Sequence, residues 1–332
     1  MGLKRLNDID RAKGLAIVLV VLGHIFNPQT TIVEVEGYML IKEIIYRFHM
    51  PFFMSLSGFI YYYTYNEIRS WSEYKSYLRK KLEKIVIAFA LFAVIIFLGK
   101  AFVVKYMSVD NAAATGSWIG LIDIFIRPTD SVAGSLWYLY TISQFYLIFP
   151  VLLRISSNKV EFLVAFSLPL VFLEMTSLFA LNMLCNYLFF FCFGMLCVKY
   201  YVKYAVYCQR FAILFVAIFF CSFFSLYAGY TVSKLIVGIC SVPALYAIAN
   251  NPLIVAKYDA LRFIGVRTFV IYLMNTIVIG FMKGWLLKVG GWETQFYVIL
   301  YISGLTVLGI TMPVAIKYYV FDRNQLLRKL TD

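Results

Sequence analysis

Long apolar runs alternate with short polar ones from the first residues to the last. Apolar stretches of spanning length fall at about 12 to 28, 47 to 65, 82 to 104, 132 to 153, 160 to 179, 181 to 201, 210 to 228, 231 to 250, 263 to 283 and 295 to 319. The pattern predicts an all-α polytopic membrane protein of about ten transmembrane helices, with both termini on one side. The boundary between 179 and 181 is the weakest, because two runs almost touch there. The longest connection, about 105 to 131, carries the small and polar stretch Asn111 to Ser117 and then the amphipathic Trp118 to Ile126. It reads as an interfacial cap, not a domain. No repeat period emerges, so residues 1–332 form a single integral membrane domain.

Composition agrees with the pattern and excludes a soluble enzyme. The 332 residues are 62% hydrophobic and only 14% charged, far from the balance of a globular domain. The net charge of +13 acts as orientation information, since cytoplasmic loops are rich in Lys and Arg. With cytoplasmic N- and C-termini, 22 of the 30 cations fall on the cytoplasmic side. The other side keeps Lys42, Arg47, Lys100, Lys105, Arg127, Lys234, Lys283 and Lys288. The first apolar run begins after eleven mostly polar residues and meets no small-x-small cleavage site before Pro28, so the first helix is expected to stay. All six cysteines lie in or beside apolar segments without a CxxC pair, which suits buried small hydrophobes and gives no metal site.

Within this frame a few residues can carry chemistry. Lys13, Ile17, Val20 and His24 recur at helical spacing and share one face, and eleven residues of helical rise separate Lys13 from His24 by roughly 16 Å. His24 and His49 are the only histidines, and the expected topology brings them to the same level. An intramembrane imidazole usually marks a site and suits a general base; the alternative is a core histidine bonded to a neighbour. Ser57, in Ser55-Leu56-Ser57-Gly58, is a candidate nucleophile, with close helix packing as the competing role. Arg69, Lys75, Arg79, Lys80, Lys81 and Lys84 form a basic cluster that either contacts anionic lipid or holds a phosphorylated cosubstrate. Trp137 and Tyr138 open an apolar segment at the histidine level, as an aromatic belt or as the wall of a sugar-binding cleft. Asn275 places an amide at mid-depth, either to fix a histidine tautomer or to join helices.

Taken together, Asp10-x-x-Lys13-Gly14 with His24 eleven positions on, Phe48-His49-Met50-Pro51-Phe52-Phe53 with Ser57-Gly58, Leu136-Trp137-Tyr138-Leu139, Phe193-Gly194, and Phe263-Ile264-Gly265 leading to Tyr272-Leu273 resemble acyltransferase family 3 along nearly the whole chain. The resemblance implies a multi-pass enzyme of the bacterial inner membrane that moves an acyl group, most often acetyl, from acyl-coenzyme A to a hydroxyl of a surface or exported glycan or its lipid-linked precursor. His24 matches the family's essential histidine, and Lys13 stands where relatives have Arg or Lys. Many relatives have a histidine in place of Asn275, and some have a carboxylate near Asn27. The expected cosubstrate is acetyl-coenzyme A, with no bound cofactor. The expected partners are the glycan acceptor and membrane lipids, without nucleic acid. The rival reading is a transporter or flippase for a lipid-linked glycan.

Overall fold

The computed structural model describes residues 5–25, 38–106, 117–255, 259–289 and 295–331. It is helical throughout, with no strand among the described residues. In chain order the helices are α1 (Asn7–Ile25), α2 (Tyr38–Tyr63), α3 (Trp71–Val103), α4 (Trp118–Ile126), α5 (Trp137–Ile155), α6 (Val160–Ser167), α7 (Leu181–Lys199), α8 (Tyr201–Arg210), α9 (Ala212–Ser222), α10 (Tyr230–Ala249), α11 (Ala260–Val266), α12 (Thr268–Val289), α13 (Gln295–Ile316) and α14 (Gln325–Thr331). Six of them are long and apolar enough to cross a membrane, or seven if the bent pair α8 and α9 counts as one span. That is fewer than the ten expected, and the difference has physical causes. Helix α1 includes Asp8, Asp10, Arg11 and Lys13, α2 breaks its apolar run with Arg47, His49 and Pro51, and α6 has only eight residues.

Several expected segments are divided. The run 160 to 179 stops as an α-helix at Ser167, because Pro169 has no N–H to continue the ladder; a 3-10 turn follows, and Phe179 and Ala180 turn the chain at positive φ. The run 210 to 228 is preceded by α8, which meets it at 83°. The run 263 to 283 is two helices, so Phe263-Ile264-Gly265 lies in the short α11 and Asn275 in α12. Helix α3 has 33 residues, on the order of 50 Å at helical rise against a hydrocarbon core of about 30 Å. Its first turns, from Trp71 through the basic cluster, therefore extend beyond the apolar part. The amphipathic stretch expected at Trp118 to Ile126 is α4, capped by the Ser117 hydroxyl, whereas 111 to 116 lie outside the described residues.

Two glycine crossings set the frame. At α1 and α11, a methyl added at Gly14 would sit 1.9 Å from the Leu261 carbonyl oxygen, and one at Gly265 would sit 1.7 Å from that of Asp10. At α2 and α7, Gly58 faces the Phe191 carbonyl at 1.9 Å and Gly194 faces that of Ser55 at 1.8 Å by the same measure. Only glycine lets backbones approach this closely. Around the crossings lies a core of aromatic rings, with Phe145, Phe149 and Phe191 packed at centroid distances of 4.7 to 5.8 Å.

Candidate active site

The first helix links two polar groups at opposite ends of the bundle. At the end that holds Asn7, the Asp8 carboxylate accepts hydrogen bonds from the Tyr201 and Tyr246 hydroxyls, tying α1 to α8 and α10. Arg11 pairs with Asp259 at 2.8 Å, which also caps α11. Asp10 binds two cations, Arg5 and Lys13, the latter at 3.1 Å. Burial pushes the Asp10 carboxyl toward a higher pKa, but the hydrogen bonds from Arg5 and Lys13 outweigh it and hold the pKa below the usual carboxylate value. Lys13 is thus presented, part-exposed, by an ionised partner one turn earlier.

At the other end of α1 the two histidines come together. The last turn of a helix has carbonyls without intrahelical partners, and two are served from other helices: the Tyr46 hydroxyl donates to the Gly23 carbonyl at 3.2 Å, and Lys283 Nζ lies 3.5 Å from that of His24. A cation also suits the negative end of the helix dipole. His49 is buried, with Nδ1 2.7 Å from the Ile45 carbonyl. A carbonyl can only accept, so Nδ1 carries the proton and Nε2 keeps its lone pair. That Nε2 points at α1, where a methyl on Gly23 would be 3.4 Å away. Gly23, next to His24, therefore makes room for the His49 ring at this end of α1. The Tyr46 ring closes edge-on over His49 at 4.8 Å. Among the described residues no group hydrogen-bonds the His24 ring.

The remaining candidates fall into two further groups. Ser57 Oγ donates to the Phe53 carbonyl at 2.8 Å and lies 2.7 Å from the Tyr138 hydroxyl, whose ring packs on Phe53 and Tyr272. Asn275 is fully buried; its amide nitrogen binds the Ile271 and Tyr272 carbonyls of its own helix, while its Oδ1 has no partner among the described residues. Trp137 stacks on Tyr187 at 5.1 Å, in a group with Lys234. Trp137 and Tyr138 therefore belong to adjacent aromatic clusters and do not form one wall. In the basic cluster, Arg79 and Lys80 are exposed, and Arg79 is 3.7 Å from Glu83. Lys81 reaches the Thr64 hydroxyl at 3.3 Å, and Lys84 lies 4.6 Å from the Phe269 ring. The last two thus face α2 and α12, toward the inside of the bundle.

A family model described as an acyltransferase domain matches residues 6–316, nearly the whole chain. The chain belongs to acyltransferase family 3. Neither the curated proteins nor the solved structures contain a match. Four of the motifs that carried the resemblance form two glycine pairs in the acyltransferase. The glycines of Lys13-Gly14 and Ile264-Gly265 answer each other across one crossing, and those of Ser57-Gly58 and Phe193-Gly194 across the other. The packing role expected as the alternative at Ser57-Gly58 is thus real at Gly58. Sequence reading missed Tyr46, which joins α1 to α2 and touches His49. It counted Lys283 only as a charge, although eight positions after Asn275 it repeats the same face of α12.

Proposed function

We propose that this membrane acyltransferase moves an acyl group, most often acetyl, from acyl-coenzyme A to a hydroxyl of an exported or surface glycan or its lipid-linked precursor, in a bacterial inner membrane with both termini cytoplasmic. The observation that supports it best is that His49 packs against the end of α1 that carries His24, while Lys13 stands at the other end. Lys13, with Arg79, Lys80, Lys81 and Lys84, holds the donor's phosphates. His24 stands roughly 16 Å of helical rise further along α1, and because Ile17 and Val20 between them are buried, the pantetheine arm reaches it when a neighbouring helix moves off that face. His24 takes the proton of the acceptor hydroxyl as its oxygen attacks the thioester carbonyl, and the thiolate of coenzyme A leaves and is protonated. In this reading His49 orients the hydroxyl or receives the proton next.

The experiment is thioester cleavage by the purified protein. With acetyl-coenzyme A and a glycan acceptor, the wild type should release free thiol, and His24→Ala at equal protein level should lose about 10²- to 10⁴-fold. A transporter or flippase would release no thiol in either form. Near-normal turnover in His24→Ala eliminates the proposed mechanism.

A further inference from the structure

The histidine end contains a second polar group that the acyl-transfer chemistry does not use. Arg47 is 3% exposed, and its Nη2 bonds Glu43 at 2.6 Å, but its Nε and Nη1 are buried with no hydrogen-bond partner among the described residues. Its guanidinium lies 4.0 Å from the Tyr230 ring centroid. Lys234, 4% exposed, approaches the same ring, reaches the Asn186 side-chain oxygen at 3.1 Å and lies 5.0 Å from the Tyr187 ring. The two cations come from different helices, α2 and α10, yet both face the Tyr230 ring, at 4.0 and 5.7 Å from its centroid. The carboxylate that answers Arg47, Glu43, is itself 54% exposed.

Burying one cation is costly unless it is paired, and burying two together costs more. Cation–π contacts recover about 0.5–2 kcal/mol each, too little to justify the arrangement as packing. Unanswered N–H groups on a buried guanidinium call for a partner that comes and goes, and charges inside a membrane bundle usually mark a substrate site. The site is connected to the chemistry. Arg47 follows Tyr46 on α2; the Tyr46 hydroxyl bonds the Gly23 carbonyl and its ring packs on His49, while Trp137 stacks on Tyr187.

We propose that Arg47 and Lys234 form a binding site for an oxyanion carried by the acceptor, a carboxylate or a phosphate, with Trp137 and Tyr187 packing on the attached sugar. This rests on the acyl-transfer reading and specifies its acceptor as acidic. The test needs no acyl donor: full-length protein in zwitterionic nanodiscs is titrated with methyl glucuronide, glucose 1-phosphate and the neutral methyl glucoside, and thermal stabilisation is read. The wild type should be stabilised by at least one anionic sugar at concentrations where methyl glucoside has no effect. A response to the glucuronide alone assigns a carboxylate, and one to glucose 1-phosphate alone a phosphate. Arg47→Gln and Lys234→Gln should each weaken binding on the order of 10- to 100-fold, as loss of a charged hydrogen bond does, while Arg47→Lys keeps part of it. Equal responses to neutral and anionic sugars in the wild type overturn the proposal even if the variants fail to fold. So does anion binding that persists in both glutamine variants, which would locate it in the basic cluster of α3. Because the readout is binding without thioester, a negative result leaves the His24 chemistry standing, and loss of thiol release leaves this site standing.

Discussion

Gly265→Ala should damage the enzyme from a position that touches no substrate. The added methyl would lie 1.7 Å from the Asp10 carbonyl oxygen and 2.9 Å from the Gly14 nitrogen, where ordinary contact is 3.4–4 Å. Both obstacles are backbone, so no side chain can rotate away, and α1 must move off α11 by roughly 1.5–2 Å in an interior packed to crystal density. Overpacking of this kind costs typically about 1–3 kcal/mol, and backbone on both sides puts this case at the upper end. The shift carries Asp10 and Lys13 with it and disturbs the register of His24, where a misplacement of about 1 Å can cost 10²-fold in rate. Gly280→Ala is the control, since none of the described residues lies within 4 Å of its added methyl and alanine favours the helix by about 0.5–1 kcal/mol. Thermal unfolding of detergent-purified protein followed by size exclusion reads the stability, and thiol release reads the rate. If Gly265→Ala matches Gly280→Ala in both, the close crossing does not exist and the placement of Lys13 and His24 argued from it fails.

Lys13→Ala should raise the apparent KM for the acyl donor in correctly inserted protein, and Lys13→Arg should preserve most activity because the charge remains; an unchanged KM in Lys13→Ala would end its role as phosphate ligand. His49→Ala should fall between wild type and His24→Ala in thiol release, and His49→Gln should recover part of the loss if the ring mainly orients the hydroxyl. Ser57→Ala should keep activity within a few-fold, because the Ser57 hydroxyl is bonded to the Phe53 carbonyl and sits against Tyr138 with no imidazole to activate it; an acyl group trapped on Ser57 would refute this. A cysteine at 113 should react only with reagent added outside, and tags after Asp332 and in the 70 to 80 loop should be cytoplasmic.

Helix existence was readable because apolar runs of twenty residues have few other folded solutions. What periodicity could not show was where a run bends. Pro169 was visible, yet the apolar run continued past it, and the polar stretch between the runs ending at 201 and starting at 210 gave no sign that it is the helix α8. The motif glycines were legible as motifs but not as partners. Gly14 and Gly265 are separated by most of the chain, and only the folded crossing reveals that each exists to admit the other.

The site was half legible for a related reason. His24 and Lys13 lie on one helix, so spacing alone places them, and the meeting of His24 with His49 follows once α1 and α2 are antiparallel neighbours. Arg47, Lys234 and Lys283 were also in plain view, as the cations left over on the minority side of the orientation count. The rule that cations gather on the cytoplasmic side is statistical and assigns the remainder no meaning. Yet those three do not scatter over the far surface: each is under 5% exposed, and each is directed at a neighbouring helix. A cation buried inside such a bundle meets a high desolvation cost. Its persistence there argues for a task at that end of the bundle, which is where the histidines are.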